Sequence, residues 1–411
     1  MKVLFISNSF PENVRICKHG IYKRMGIFIE AIKDIAQIDM LFYVQPDLDI
    51  SVSTILKREQ EFSEYWNAKI NLFFCPRFIE QKKISGWTKY GAPALNILKQ
   101  LDFKCTSGLQ QSKALEACLK RDPDAIFAHR LSAMIPLCLT QKKLPPVFFD
   151  LDDIEHIRFF REVSQPPIWK SKALLYLQIP SLFLGEIRAI RLAAQTFVCS
   201  NHDKKHLQRI CRAKKISVIP NSVDIPKLKI LATTPTLLFL GGYKYPPNVR
   251  AAEFLIKKIL PLIHQKIPEA RLIIAGLYPD RISCYSDNLP GVKFTGFIDN
   301  LDDLYASVRV VCAPIFSGGG TRFKIIEAAA YAKPVVTTTI GAEGIDMENG
   351  KDLLMCNDLQ SFTKACIKLL DNYDECNELG TSARKKAIQF YEKNNVIKLI
   401  QQTIKKHLNI S

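Results

Sequence analysis

No apolar run in this 411-residue sequence reaches the ~20 residues that a helix needs to cross a bilayer. The apolar start, MKVLFISNSF, is interrupted by Ser7 and Asn8, which predicts a first β-strand instead of a signal peptide. The twelve cysteines form no C-x-x-C pair and have no histidine cluster beside them. That spacing matches neither a zinc site nor a disulfide framework, and it indicates reduced cysteines in a cytoplasmic protein.

Acidic residues are scarce relative to basic ones: 40 Asp and Glu stand against 57 Lys and Arg, a formal net charge of +17. The excess favours an anionic partner, namely nucleic acid, a phosphate-bearing ligand or the inner face of a membrane. The basic residues are dispersed and no basic motif with interleaved aromatics occurs, which disfavours nucleic acid. A composition of 47% hydrophobic and 24% charged residues is typical of globular proteins, and the length predicts two domains.

Short β-branched runs alternate along the chain with longer amphipathic stretches. This alternation predicts an α/β fold, in which a parallel sheet is covered by helices on both faces. Strands are predicted at residues 2–7, 38–44, 70–75, 125–129, 146–151, 195–200, 216–219, 236–242, 271–276, 292–296, 310–315, 334–339 and 352–356. Helices are predicted at residues 21–36, 51–66, 110–120, 202–213, 248–265, 301–307, 322–332, 359–371 and 381–408.

A stretch without a clear period, residues 220–235, divides this pattern into two halves. Each half predicts a doubly wound, Rossmann-like domain, the first over residues 1–223 and the second over residues 224–384. Residues 385–411 have an amphipathic pattern that predicts a last helix. Ligands of such sheets bind at the carboxyl ends of the strands, so two facing sheets would share a central cleft.

The segment of residues 313–345 carries the strongest signal for chemistry. Three glycines follow a predicted strand and precede a helix that holds Arg322, Lys324 and Glu327. Glycines allow the backbone to approach a ligand, and a helix N-terminus offers free N–H groups, so the segment predicts a diphosphate site. Glu327 could then accept hydrogen bonds from ribose hydroxyls. The alternative is a glycine-rich loop with basic side chains that face solvent.

Residues 236–345 resemble the donor-binding domain of glycosyltransferase family 4, a group of retaining enzymes with the two-domain GT-B fold. The matching pieces are FLGGYKYPPN (239–248), LIIAG (272–276), GVKFTGFIDN (291–300) and GGGTRFKIIEAAAYAKPVV (318–336), in the order of the family. IPNSVD (219–224) is similar to the inter-domain element of the family. The resemblance implies two Rossmann-like domains that face a central cleft, and a last helix, over residues 385–411, that could pack back on the first domain.

The resemblance also implies roles for individual residues. Arg322 and Lys324 would hold the donor diphosphate and act in catalysis, and Glu327 would hold the ribose. The implied nucleotide-sugar site consists of Gly241, Gly242, Gly296, Phe297, Gly319, Gly320, Thr321, Arg322, Lys324 and Glu327. In one respect the sequence departs from the family, because Gly319 stands where a first glutamate often contacts the donor sugar. The sugar would then be held by the backbone of Gly319 and Gly320 or by other groups.

The first half resembles the family less closely. DAIFAHRLS (124–132) is similar to a strand end where the family has a histidine that faces the donor sugar, which implies a catalytic role for His129. A neutral imidazole there could hydrogen-bond a sugar hydroxyl, and its role would be orientation more than proton removal. The alternative is a histidine that closes a strand end without any ligand, and we expect a functional His129 to face the same cleft as Glu327.

Carboxylates follow the next predicted strand in FFDLDDIEHIRFFR (148–161). Asp152 and Asp153 are candidates for the acceptor side, since a carboxylate can align an attacking hydroxyl. Carboxylate clusters also bind divalent metals, but GT-B enzymes usually lack a catalytic metal, so no metal and no cofactor are expected. The alternative is that these acids cap the following helix.

Two further segments leave alternatives open. Gly20 and Arg24 lie where the first loop of the family would contact acceptor or diphosphate, although Arg24 could equally be a solvated helix residue. Residues 168–191 are apolar and flanked by basic residues, which fits a helix at an anionic membrane surface. A buried helix of the domain core fits the same pattern and is favoured.

The sequence therefore predicts a retaining glycosyltransferase that moves a sugar from a nucleotide-sugar donor to a saccharide or lipid-linked acceptor. Polysaccharide or glycolipid assembly is the setting that the resemblance implies. The expected partners are the donor, the acceptor and an anionic membrane surface contacted from the cytoplasmic side, without nucleic acid. The alternatives are a GT-B-fold epimerase or phosphorylase, and a catalytically degenerate protein that only binds nucleotide sugars.

Overall fold

The computed structural model describes residues 1–15, 20–78, 90–99, 103, 105–166, 169–211, 215–228, 232–286 and 288–408. Backbone contacts group the chain into two compact units. The first unit comprises Met1–Ile219 and Ile397–Ser411, and the second comprises Pro220–Val396. The first division lies close to the predicted boundary at residue 223, whereas the second lies downstream of the predicted boundary at residue 384.

The first unit is built on a sheet of seven parallel strands in the order β3-β2-β1-β4-β5-β6-β7. The strands are β1 (Lys2–Ser7), β2 (Gln37–Val44), β3 (Ile70–Pro76), β4 (Ala125–His129), β5 (Val147–Asp150), β6 (Gln195–Val198) and β7 (Ile216–Val218). The helices between them are α1 (Gly20–Lys33), α2 (Val52–Trp66), α3 (Ala92–Leu95), α4 (Leu109–Leu119), α5 (Leu131–Leu139), α6 (Glu155–Val163), α7 (Lys170–Ala173), α8 (Ile179–Leu192) and α9 (Asn201–Cys211).

The second unit has a sheet of six parallel strands in the order β10-β9-β8-β11-β12-β13. The strands are β8 (Thr236–Leu240), β9 (Arg271–Ala275), β10 (Val292–Gly296), β11 (Val310–Ala313), β12 (Val335–Thr337) and β13 (Leu354–Met355). Its helices are α10 (Pro246–Phe254), α11 (Leu260–His264), α12 (Leu301–Ala306), α13 (Phe323–Ala330), α14 (Thr339–Ala342), α15 (Leu359–Asp371) and α16 (Tyr373–Tyr391). The last helix, α17 (Lys393–Leu408), belongs to the first unit from Ile397 onward.

Helices cover both faces of each sheet, which explains why the strands are almost continuously apolar. Phe5 of β1 stacks on Phe127 of β4 at 5.2 Å between ring centroids, and Phe127 stacks on Phe197 of β6 at 6.1 Å. In the second unit, Leu238 and Val311 of neighbouring strands are fully buried. Every predicted strand matches an observed one to within two residues at each end, so the predicted parallel α/β architecture is confirmed in each unit.

The predicted helix over residues 381–408 is wrong, because two helices share this region. Helix α16 ends at Tyr391, and Glu392 has an extended backbone with φ −64° and ψ 129°. The cause is a short pairing with Val223, whose N–H donates to the Tyr391 carbonyl and whose carbonyl accepts from the Lys393 N–H. Helix α5 was not predicted, because it is buried on almost every side and so has no amphipathic period.

Helix α16 packs against α13, the helix that begins beside the glycine-rich loop. The contact is close because Gly380 has no side chain: a Cβ there would lie 2.1 Å from the Ala332 carbonyl oxygen. Arg384 of the same helix donates hydrogen bonds to the carbonyls of Ala330 and Pro226. The far end of α13 is therefore fixed by a helix that follows it by some fifty residues in sequence.

Among the described residues, no helix is long and apolar enough to cross a membrane. Within the apolar stretch of residues 168–191, Leu182, Ile187 and Ile190 of α8 are buried in the core, as the favoured interpretation predicted. Residue 168 itself lies outside the described residues. The opposite side of α8 is exposed to solvent and includes Leu184.

Candidate active site

In the second unit, the loops at the carboxyl ends of β8, β9 and β10 lie side by side. The N–H of Gly241 donates to the Ala275 carbonyl at 2.9 Å, and the N–H of Gly276 donates to the Gly296 carbonyl at 2.8 Å. A Cβ at Gly276 would lie 1.8 Å from the Gly241 carbonyl oxygen, so only glycine permits this approach. The predicted residues Gly241, Gly242 and Gly296 thus gather at the sheet edge where doubly wound domains bind ligands.

Lys324 of α13 reaches the same edge. Its ammonium donates to Asn248 Oδ1 at 2.8 Å and lies 4.3 Å from the centre of the Phe239 ring. The Asn248 side chain also donates to the Gly242 carbonyl at 2.9 Å, so it connects the lysine to the loop after β8. Burial and the neighbouring Arg322 lower the pKa of Lys324 to about 7. An anion bound beside this lysine would favour its charged form.

The glycine-rich loop before α13 turns with left-handed backbone at Gly318 (φ 106°) and Gly320 (φ 62°). The Arg322 guanidinium folds back on this loop and donates to the carbonyls of Gly319 and Gly320. Arg322 is partly buried and is not a fully solvated side chain. A ligand oxygen would have to replace these carbonyls as the acceptor of the guanidinium.

Two buried side chains support the loop and the helix. Thr321 accepts a hydrogen bond from Asn221 Nδ2 at 2.7 Å, which ties the IPNSVD segment to the end of the loop. Glu327 is 7% exposed and accepts from the Tyr305 hydroxyl at 3.3 Å. Burial, together with the Glu327 carboxylate, raises the pKa of Tyr305 well above its usual value, so the phenol remains a donor. Phe297 follows Gly296 at the end of β10 and is partly buried.

In the first unit, His129 is the last residue of β4 and is fully buried. Its Nδ1 lies 3.0 Å from Ser7 Oγ at the end of β1, and its Nε2 lies 3.9 Å from Asp150 Oδ2. Within the described part of the chain, Nε2 has no hydrogen-bond partner. Burial, Arg130 and Arg24 lower the pKa of His129 well below its usual value, so the ring is neutral. A neutral ring is the form that the proposed orienting role requires.

Arg24 is fully buried, so the alternative of a solvated helix residue is wrong. Its guanidinium contacts the Asp150 carboxylate at 2.6 Å and donates to the Ile219 carbonyl at 2.9 Å. These bonds join α1 to the carboxyl end of β5 and to the end of β7. Its predicted contact with an acceptor stays a prediction, as does that of Gly20, the partly buried first residue of α1.

Asp152 and Asp153 lie in the loop after β5 and are mostly buried. Both carboxylates are 3.8 Å from the Arg130 guanidinium, and Arg130 itself has a strained backbone with φ 71° and ψ 163°. Burial and the neighbouring Asp152 raise the pKa of Asp153 to about 6. The carboxylates of this loop therefore lie close to the strained backbone of Arg130, the residue after His129.

The alternative that these acids cap α6 is wrong. The N-cap residue of α6 is Ile154, which has no capping side chain. The capping carboxylate comes from Glu186 of α8, which accepts from the Glu155 N–H at 2.6 Å and also hydrogen-bonds the His156 ring. In the ranges that the structure describes, no three His, Cys, Asp or Glu side chains are grouped so as to hold a metal ion.

Sequence reasoning missed Asn248 and Asn221, which support the loops on either side of Lys324 and Thr321. Both lie inside quoted motifs, at the end of FLGGYKYPPN and within IPNSVD, so the motifs contained the signal. The two asparagines were missed because an Asn in a turn is usually attributed to the local backbone hydrogen bonds of the turn.

Comparison with known proteins places the family resemblance in the second unit. Residues 234–372 match the profile of the family described as Glycosyl transferases group 1. A phosphatidyl-myo-inositol mannosyltransferase of Mycobacterium leprae (strain TN) is 27% identical over 187 residues, which are 42% of this chain and 49% of that protein. An uncharacterized 44.6 kDa protein in the cps region of Klebsiella pneumoniae is 25% identical over 172 residues, 40% of this chain and 44% of that protein. The chain thus spans less than half the length of the curated relatives it matches.

The crystal structure of Anabaena HepE in complex with UDP and glucose matches 98% of this chain and 99% of its own, with a TM-score of 0.64 at 16% identity. At that identity the likeness establishes the fold alone, and the fold is the GT-B fold that the sequence predicted. The narrower assignment to family 4 stays a prediction. The resemblance itself is confirmed: residues 234–372 are similar to group 1 glycosyltransferases, and the chain has a GT-B fold.

Proposed function

We propose that this protein is a retaining glycosyltransferase that moves a sugar from a nucleoside diphosphate to a hydroxyl of a saccharide or lipid-linked acceptor. The observation that carries the proposal is the position of Lys324 beside Gly242 and Asn248, at the carboxyl edge of the second sheet. The family match over residues 234–372 and the UDP and glucose bound by HepE support a nucleotide-sugar ligand at this edge. The mannosyltransferase relative supports a lipid-linked acceptor and a place in glycan assembly.

In the proposed reaction, the bond between the sugar C1 and the diphosphate oxygen breaks while a bond forms from C1 to the acceptor oxygen. The acceptor proton passes to the departing phosphate on the same face of the sugar, so no protein nucleophile is needed. Arg322, Lys324 and the free N–H groups at the start of α13 stabilise the charge that grows on the diphosphate. These protein cations supply the charge stabilisation, and the proposal includes no metal or other cofactor.

We assign each part of the donor to a group described above in one or the other unit. The nucleotide ribose would hydrogen-bond Glu327, which the Tyr305 hydroxyl holds in place. The diphosphate would take over the Arg322 donors that now bond the Gly319 and Gly320 carbonyls. A sugar hydroxyl would satisfy His129 Nε2, since a buried acceptor without a donor is unfavourable. The Asp152 and Asp153 loop remains the candidate for the acceptor side.

One observation favours a second candidate, a protein that binds nucleotide sugars without turning them over. The residue at the position of the first glutamate of the family is Gly319, whose carbonyl is engaged by Arg322. A panel of UDP-, GDP- and ADP-sugars, scored first by melting temperature and then by release of the nucleoside diphosphate, separates the candidates. Stabilisation with turnover supports the transferase, and stabilisation without turnover supports the binding protein. A requirement for inorganic phosphate as co-substrate would instead indicate a phosphorylase.

A further inference from the structure

A groove of about 720 Å³ opens in the first unit at the amino ends of β5, β6 and β7. Its lining includes residues 144–147 before and at the start of β5, Ala193 and Ala194 before β6, and Lys215 before β7. His129 and Asp150 end their strands, so the groove lies at the opposite edge of the same sheet. The proposed sugar transfer makes no use of it.

The groove is strongly basic. Four exposed basic residues contribute to its lining: Lys142, Arg188, Arg191 and Lys215. Among the described residues that line the groove, none is acidic. Arg188 Nη2 donates to the Cys138 carbonyl at 2.7 Å, which holds that guanidinium over the groove. Several positive charges around a concave surface raise the local concentration of anions.

An exposed apolar stripe continues from the groove along α8. Leu184, Arg188 and Leu192 follow each other at intervals of four residues and share one side of the helix. Leu184 is 64% exposed and Leu192 is 39% exposed, although the outer side of a surface helix is normally polar. Arg188 and Leu192 also line the groove, so the stripe and the groove form one continuous surface.

We propose that this surface docks the protein on an anionic lipid bilayer. Leu184 and Leu192 would enter the boundary between headgroups and acyl chains, and the basic groove would contact lipid phosphates. Pairing with a second copy would place cations against cations. Nucleic acid would pair with the cations but would leave the exposed leucines without an apolar partner. In the part of the groove that the structure describes, no aromatic side chain is present on which bases could stack.

The test is flotation of the full chain with vesicles, without donor or acceptor. Binding is expected to vesicles that contain phosphatidylglycerol and not to vesicles of phosphatidylcholine alone. Each basic residue near the surface contributes about fivefold, so the double variant Arg188→Gln, Arg191→Gln should lower partitioning by about 25-fold. The matched control is Lys57→Gln, Lys113→Gln, which removes the same charge from exposed positions on α2 and α4 and should bind as the parent does.

Two further variants test the parts of the surface separately. Lys142→Gln, Lys215→Gln removes cations outside α8 and should weaken binding by a similar factor without touching that helix. Leu184→Ser should weaken binding by about tenfold while leaving its dependence on salt unchanged, because it removes apolar contact only. Melting temperatures near that of the parent verify that each variant is folded.

Three results would overturn the proposal. One is equal binding to vesicles with and without phosphatidylglycerol, and another is an equal loss of binding in the groove and control variants. The third is unchanged vesicle binding in groove variants that no longer bind RNA, which would make the groove a nucleic-acid site. Because no sugar is transferred in these measurements, they can fail while the proposed activity stands, and the reverse also holds.

Discussion

The two clusters of charged residues in this chain balance their charges in opposite ways. In the first unit, Arg24 and Asp150 are fully buried and neutralise each other at 2.6 Å. In the second unit, Arg322 and Lys324 have no carboxylate partner among the contacts described for them; their hydrogen bonds run to neutral carbonyl and amide oxygens. Such a buried pair is suited to a structural role, because removal of either partner leaves an uncompensated charge in the core. Cations that are held in place but not neutralised are suited to receive an anionic ligand.

The strongest test of this contrast is removal of the buried guanidinium. Arg24→Ala leaves the Asp150 carboxylate buried without its partner, so the free energy of unfolding of the first unit should fall by about 3–5 kcal/mol. Urea denaturation followed by circular dichroism measures the change. The control is Arg58→Ala, which breaks a partly exposed pair with Glu61 and should cost about 0–1 kcal/mol. Equal effects of the two substitutions would show that burial does not distinguish these pairs.

The converse test concerns turnover. Alanine at Arg322 or at Lys324 should lower turnover by on the order of a hundredfold, because these cations act on charge that develops in the transition state. The melting temperature should change little, since neither side chain has a buried countercharge to leave behind. Steady-state kinetics with the donor found in the panel measures the effect. Near-normal turnover in both variants would remove the diphosphate assignment.

The pH dependence of donor capture sharpens the contrast further. Lys324 must be charged to hold a diphosphate, and its pKa is about 7, so kcat/KM for the donor should fall as pH rises through about 7. In Asn248→Asp a carboxylate would lie beside the ammonium and raise the pKa of the lysine. The fall in kcat/KM should then occur at higher pH, even if the maximum of kcat/KM is lower. If the fall occurs at the same pH in this variant, a group other than Lys324 titrates.

The smallest expected effect tests whether the Tyr305 hydroxyl positions Glu327 or takes part in the chemical step. Tyr305→Phe removes the hydroxyl that holds Glu327, and the loss of one hydrogen bond should raise the donor KM about fivefold with kcat nearly unchanged. Tyr331→Phe is the matched control, because its ring stacks on Tyr305 while its hydroxyl bonds Asp302. A fall in kcat without a rise in KM would assign the tyrosine to the chemical step.

The sequence predicted the strands and the glycine-rich loop well because their causes are local. A fully covered strand must be a continuous apolar run, as in β1 and β11, and a phosphate-binding turn needs small residues at adjacent positions. The gathering of Gly241, Gly296 and Lys324 at one edge then follows from the parallel topology.

What the sequence did not predict depends on partners that lie far along the chain. The residues near Arg24 in sequence predict an exposed side chain. Its burial is explained only by the ion pair with Asp150, which lies more than a hundred residues later. The N-terminus of α6 is capped by Glu186 from another helix, so the local Asp-rich segment suggested a cap that does not exist. The break at Glu392 depends in the same way on Val223.

The close contact at Gly380 has a practical consequence for anyone who wishes to produce the second unit as a separate recombinant fragment. The family match ends at residue 372, which invites a stop codon just beyond it. Such a fragment would omit α16, whose Gly380 and Arg384 contact the end of α13. Helix α13, which carries Lys324 and Glu327, would then lose this packing. The end of a family profile reflects sequence similarity, whereas the compact second unit extends past Tyr391.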